Sequence, residues 1–508
     1  MTRETVGPKA TRREWIGLAV IALPCMLYSM DLTVLYLAVP QLTADMNPSA
    51  TQLLWILDIY GFAVAGLLIT MGTLGDRIGR RKLLLIGAVA FGATSILAAF
   101  STTSEMLIAS RALLGLAAAT LAPSTLSLIR NMFLDDRQRT VAISVWATAF
   151  SVGGAIGPLI GGVLLEHFWW GSVFLIAVPV MILLLIVGPK LLPEFKDPNA
   201  GKLDLLSAGL SMVAVLAVIY GMKHGAGGGF TAPAIVSVLG GIGVGYLFVR
   251  RQKQLADPLI DLSLFRLPAF SAALATNILA VFVAFSVFMF SAQYLQLVLG
   301  LSPFMAGLWT VPSSLGFVIG SMSAPYWQRL LQASNAIAAG LCLSAIGLAM
   351  VALVGGEHGL AALVVGSTLM ALGLAPTVTL TTDLIMSNAP PERAGAASGL
   401  SETAAEFGGA LGIAMLGSFG IVLYRGQMNG AIPPGVPPEA AEVARSTLGG
   451  AINVANTLPG PIGANLLSAA REAFTHTLVL TSAMCAIIAI VTAMVVVTVF
   501  RRAASSKA

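Results

Sequence analysis

Charge is what this sequence lacks most: 10% of its 508 residues are Asp, Glu, Lys or Arg, where soluble globular chains carry about a quarter. Hydrophobic residues make up 57% and the mean hydropathy is +0.89, which excludes a soluble globular domain. Cysteine is scarce too. Cys25, Cys342 and Cys485 lie far apart in apolar runs without CxxC spacing, which excludes a redox or metal pair and leaves three small packing residues. His167, His224, His358 and His476 fall at predicted helix ends or outer loops with no ligand spacing, which argues against a zinc enzyme. No GxxxxGK[ST] phosphate loop occurs, and little chain is left for a nucleotide-binding or signalling domain, which argues against an ATP-driven pump or a membrane sensor.

Long apolar runs are what is present. A helix needs roughly 20 apolar residues to cross about 30 Å of hydrocarbon. Runs of that length lie near residues 15–39, 53–74, 83–102, 105–129, 140–165, 170–192, 204–221, 231–249, 268–297, 303–325, 333–354, 359–384, 394–424 and 473–500, which predicts an all-α integral membrane protein with fourteen spans. The opening "MTRETVGPKATRREW" is basic, and the run behind it is too long and too poor in a small-residue cleavage site for a removed signal peptide.

Basic residues mark alternate turns: Arg77, Arg80, Arg81 and Lys82, then Arg130, Arg137 and Arg139. Lys190, Lys196 and Lys202 follow, then Arg250, Arg251, Lys253 and Arg266, then Arg501, Arg502 and Lys507. The opposite loops hold chiefly Lys223, Arg425, Arg445 and Arg471. Because Lys and Arg accumulate on the cytoplasmic side, both termini are expected there, in a bacterial inner membrane. The pI of about 9.2 follows from this topology and calls for no nucleic acid. Residues 425–472 form an expected long outer loop, with helical amphipathic spacing near 438–448 and 462–474, and serve either as plain surface or as a gating element.

"GGAIGPLIGG", residues 153–162, returns in weaker form as "GGALGIAMLG", residues 408–417, each behind an arginine-bearing loop with Arg139 or Arg393. Small residues allow close helix packing and account for some likeness by themselves. The matching positions also suit two repeated halves with a central site. The fifth and thirteenth spans correspond if two helices are inserted between six-helix halves, giving units of 1–200, 201–255 and 256–508.

"GTLGDRIGRRK" between the second and third spans resembles the cytoplasmic loop motif of the major facilitator superfamily, with Gly72, Leu74, Asp76, Arg77, Gly79, Arg80 and Arg81 at the expected spacing. Glycines there let helix ends turn tightly, and the arginines can pair across the halves. Arg111 in "IASRALLGLAAA" resembles the superfamily's fourth-helix motif, and Gly153, Gly157, Pro158, Gly161 and Gly162 resemble its fifth-helix exporter motif. "MDLTVLYLAVP" around Asp31 and "LLWILDIYGF" around Asp58 are similar to the first helices of the fourteen-helix drug:proton antiporters, in particular quaternary-ammonium and multidrug efflux pumps. The second-half loop "YWQRLLQASN", residues 326–335, lacks the Gly/Asp pattern, so no gating role carries over to it.

Ionisable groups inside a span cost about 2.5–3.5 kcal/mol on insertion scales and persist where they face a cavity or partner. Asp31, Asp58 and Arg111 are expected at similar depth, and Glu402 and Glu406, spaced i,i+4, share one face of the thirteenth span. Asp383 sits near a span's cytoplasmic end and reads as solvated. Asp31 and Arg111 form either a permanent structural pair or, with Asp58, a proton-coupling group. Asp58, Glu402 and Glu406 suit binding of organic cations, and the glutamates suit plain helix anchoring as well. Tyr28, Trp55, Tyr60, Tyr294 and Trp309 serve as cation–π faces or as packing and interface anchors.

The resemblance implies a monomeric, proton-coupled antiporter without a cofactor that exports lipophilic cations, dyes and quaternary ammonium antiseptics by alternating access. Export of one specific metabolite or antibiotic by the same machinery is the alternative.

Overall fold

The structure, a computed structural model, describes residues 9–196, 204–228, 231–255, 258–260, 262–355, 358–387 and 394–505. Arg393, Lys202 and Lys507 therefore lie outside the described residues, as do the side chains of Arg137, Arg139, Arg501 and Arg502. The described residues contain helices and turns but no strand.

The first half comprises α1 (Arg12–Met46), α2 (Ala50–Ile78), α3 (Arg80–Ala99), α4 (Ser104–Met132), α5 (Asp136–His167), the short α6 (Ser172–Leu175) and α7 (Ala177–Leu191). An inserted hairpin, α8 (Leu205–Gly228) and α9 (Ala232–Gln252), comes next. The remainder is α10 (Pro268–Gln293), α11 (Pro303–Leu330), α12 (Ala333–Val351), α13 (Gly359–Ser387), α14 (Ala394–Ala431), α15 (Pro438–Ser446), α16 (Leu448–Thr457) and α17 (Gly460–Ser505). Fourteen segments are long and apolar enough to span a membrane, with α6 and α7 together making one. An even number of crossings brings both described ends to one face, the terminal face; the other is the far face.

Local signals explain the punctuation. Thr11 and Ser49 cap α1 and α2, and the backbone N–H of each donates in return to the Glu14 or Gln52 side chain. Asn47 closes α1 at φ 46°, and Gly79 at φ 113° separates α2 from α3 in a conformation that favours glycine.

Two expectations need correction. The seventh span does not stop at residue 221: α8 continues to Gly228, so Lys223 and His224 lie in a helix and not in an outer loop. Residues 425–472 are mostly helical: the stretches near 438–448 and 462–474 form α15 and the start of α17 as expected, but α14 also runs on to Ala431 and α16 fills part of the middle. His476 likewise lies within α17. Glycines and prolines in these stretches read as loop, but the helices are stabilised by what they pack on.

Small residues set the helix pairings. A β-carbon on Gly153 of α5 would lie 2.2 Å from the Met26 carbonyl of α1, and one on Gly412 of α14 would lie 2.3 Å from the Phe282 carbonyl of α10. The two Gly-rich stretches thus seat α5 on α1 and α14 on α10. Across the middle, α2 contacts α14 and α5 contacts α11, where a β-carbon on Gly307 would lie 2.4 Å from the Pro158 carbonyl. The inserted α8 lies against both α2 and α14.

Candidate transport site

Between the halves, at mid-helix, lies a cavity of about 330 Å³. Tyr36, Phe150, Phe285, Phe288 and Phe317 line it, with hydroxyls from Ser29, Thr33, Ser313 and Ser314 and no charged side chain among the described residues. On the far face, helices from the second part close on α1 and α2. Asn453 of α16 donates to the Asn47 side chain at 2.8 Å and to the Thr43 carbonyl at 3.3 Å. Ala50 N–H donates to Ser446 Oγ at 3.3 Å. A π-helical turn at Tyr294–Val298 carries Gln296, whose amide donates to the Leu37 carbonyl at 3.1 Å.

The acids expected to carry function, Asp31, Asp58, Glu402 and Glu406, lie in three settings. Asp31 of α1 bonds the Arg111 guanidinium of α4. Arg111 is 1% exposed; its Nε donates to the Ile56 carbonyl at 3.3 Å, and its charge lies 4.6 Å from the Tyr60 ring centre. Asp31 opens onto a small space among α1, α3, α6 and α7 and not onto the central cavity.

Asp58 of α2 faces away from that pair, toward the inserted hairpin. Lys223 Nζ lies 2.8 Å from its Oδ1 and 2.7 Å from its Oδ2, and both side chains are fully buried. The same ammonium lies 3.8 Å from the centre of the Trp55 ring. The sequence reading missed Lys223 because the glycines after Tyr220 suggested a loop; an intramembrane acid without an assigned cation was the signal that could have found it.

Glu402 and Glu406 of α14 are different. Tyr28 of α1 lies beside Glu406, and Cys25 of α1 lies near Glu402. Neither glutamate forms an ion pair with a basic residue among those described, and both are partly accessible to water. Tyr28 in turn lies 5.7 Å from Phe150, a cavity wall, so the pair sits one aromatic layer behind the cavity.

The structure thus brings Asp31, Arg111 and Tyr60 together, joins Asp58 to Trp55, and sets Tyr28 beside Glu406. Tyr294 is buried in the π-turn, Trp309 is 37% exposed on the surface, and Asp383 is exposed.

Comparison with known proteins decides the family. Residues 21–413 match the model described as Major Facilitator Superfamily. The chain belongs to the major facilitator superfamily. It is 42% identical to the multidrug efflux pump LfrA of Mycolicibacterium smegmatis, over 97% of this chain and 98% of that one. It is 37% identical to the methyl viologen resistance protein SmvA of Salmonella typhimurium, over 93% and 95%. A solved bacterial homologue of the human lysosomal transporter Spinster shares the fold at TM-score 0.68 and 17% identity, covering 97% of this chain and 98% of that one. The protein is accordingly a multi-pass membrane efflux transporter of this superfamily, whose solved neighbours are also transporters.

In the superfamily loop at α2–α3, Arg80 Nε donates to Asp76 at 2.8 Å, and its Nη1 donates to the Pro123 carbonyl of α4 at 3.3 Å. Arg81 donates to the Leu192 carbonyl at 3.0 Å and lies 3.6 Å from Glu194. All these partners belong to the first half, so the expected pairing of the arginines across the halves is corrected for this conformation. Proximity is the reason: Asp76 lies one helical turn from Arg80, and Glu194, packed against Gly79, accepts from the Arg81 N–H at 3.1 Å. Gly72 faces Pro123 across α2 and α4, and Arg77 is exposed.

Proposed function

We propose that the protein is a proton-coupled antiporter, exporting lipophilic organic cations from the cytoplasm across a bacterial inner membrane with both termini cytoplasmic. One observation carries this reading: Asp31 and Asp58 are neutralised by Arg111 and Lys223, whereas Glu402 and Glu406 have no basic partner among the described residues. An uncompensated carboxylate inside a bilayer is costly. A proton or an organic cation bound at this pair lowers that cost, and the two compete. The names of the relatives support the substrate class, since methyl viologen is a planar aromatic dication.

The aromatic cavity supplies apolar contact and the acids behind Tyr28 supply charge. The far-face contacts close the cavity on one side, and alternating access exchanges them for contacts on the other. In this scheme a cation enters from the cytoplasm, displaces protons from Glu402 and Glu406, and leaves outside when protons return. The Asp31–Arg111 pair responds to the same rocking, because Arg111 is anchored on the α2 backbone at Ile56. The transporter works as a monomer with no cofactor beyond the proton gradient.

The test is ethidium uptake into inverted vesicles under an acid-inside gradient. Wild type should accumulate dye only with the gradient, and Glu406→Gln should lose about tenfold or more of the rate, comparable to losing one well-placed electrostatic contact of about 1.4 kcal/mol. If wild type moves no cationic dye under any gradient, the reading fails. The uncharged cavity lining then favours the second reading, export of a neutral aromatic metabolite or antibiotic.

A further inference from the structure

We propose that Trp55 and Asp58 form a second binding site for organic cations, held in this conformation by the chain's own ammonium, Lys223 of the inserted helix α8. The proposal rests on the cation-export reading and deepens it by naming a site and its internal competitor.

The chemistry of the site is that of an alkylammonium receptor. Both carboxylate oxygens of Asp58 contact Nζ, at 2.8 and 2.7 Å, and the Trp55 face covers the charge at 3.8 Å. The pair is fully shielded from water, where a cation–π contact is strongest. No other side chain donates to Asp58 among the described residues. A bare ammonium needs only the carboxylate. The aromatic face adds recognition of any cation that presents apolar or π surface, as lipophilic cations do.

The position of α8 supplies the means of exchange. One turn before Lys223, Ile219 is buried in an apolar cluster with Phe62 of α2 and Ala410 and Ala414 of α14. A β-carbon on the neighbouring Gly61 would lie 3.2 Å from Ala410, so α2 and α14 are in close contact at this level. Any rocking of α14 against α2 therefore moves Ile219 and draws Lys223 with it. When Lys223 withdraws, a substrate cation takes its place; when Lys223 returns, it expels that cation. The exchange replaces one positive charge by another, so Asp58 is never left as a buried, unpaired carboxylate, the costly state.

The test uses the purified full chain in detergent and tetraphenylphosphonium as the probe. Lys223→Met removes the competitor and is expected to tighten probe binding about tenfold, the gain when a site is otherwise vacant about a tenth of the time. Adding Asp58→Asn should abolish that gain, and Lys223→Arg, which keeps the cation, should bind as wild type does. A second readout needs no variant: saturating probe should raise acetylation of Lys223 in wild type by acetic anhydride, measured by mass spectrometry. If wild type binds the probe but Lys223 acetylation does not change and folded Lys223→Met binds no better, Lys223 is a fixed tie and the proposal is overturned while cation export stands. If neither wild type nor Lys223→Met binds any of the probe, both are overturned.

Discussion

Removing Asp31 and Arg111 together should destabilise the folded protein by clearly less than the sum of removing each alone. Arg111 is 1% exposed, and its other contacts are the Ile56 carbonyl at 3.3 Å, the Tyr60 ring at 4.6 Å and the Phe174 ring at 5.7 Å. Two unit charges about 4 Å apart attract by about 4 kcal/mol at an effective dielectric constant of about 20. Once Asp31 is gone, the Tyr60 face still offsets the stranded guanidinium by up to about 2 kcal/mol. Asp31→Ala should therefore cost about 3–5 kcal/mol, the range for breaking a buried pair from one side. The double variant Asp31→Ala/Arg111→Met leaves no stranded charge and should cost about 3 kcal/mol less than the sum of the singles. Denaturant unfolding of the four proteins in detergent micelles, followed by tryptophan fluorescence, measures the coupling directly. Single costs below about 1 kcal/mol with an additive double would refute the pair as an energetic link.

Glycine substitutions should separate packed from lipid-facing positions. Gly153→Ala and Gly412→Ala meet backbone carbonyls and should lose about 1–3 kcal/mol of stability with transport, whereas Gly240→Ala, with open space around it, should gain up to about 1 kcal/mol. A short bis-methanethiosulfonate linking Asn47→Cys to Asn453→Cys, in a chain freed of its three native cysteines, should stop dye transport reversibly, since the two side chains meet at 2.8 Å; undiminished transport by the linked protein would exclude opening there. At the terminal face, burial pushes the Asp204 carboxyl up, but bonds from Ser207 and the Arg251 guanidinium outweigh it and hold the carboxyl below its usual range. Its stabilisation is then fully present above the usual carboxylate range and is lost only as pH falls through the lowered value. Asp204→Ala should thus cost about 1 kcal/mol at neutral pH, as for a lost helix cap, and should flatten this acid dependence in unfolding curves taken against pH.

The number of spans, the Gly-rich stretches and the family were legible in the sequence, because each depends on local length, composition or spacing. The fourteen apolar runs all became helices, and Glu402 and Glu406 fall on one face of α14 by period alone. The charge partners divide otherwise. Asp31 and Arg111 are 80 positions apart, yet their common depth and opposite sign already suggested a pair. Lys223 lies 165 positions from Asp58, in a stretch whose glycines suggest a loop, and only the packing of α8 onto α2 and α14 carries that stretch onward as helix. Apolar length fixes that a segment crosses the membrane, because the cost of exposing polar backbone to lipid is paid locally. Which way a crossing helix turns a charged residue depends on the helices beside it, and so the tertiary structure decided that Asp58 meets Lys223 and that Glu402 and Glu406 meet no basic partner among the described residues.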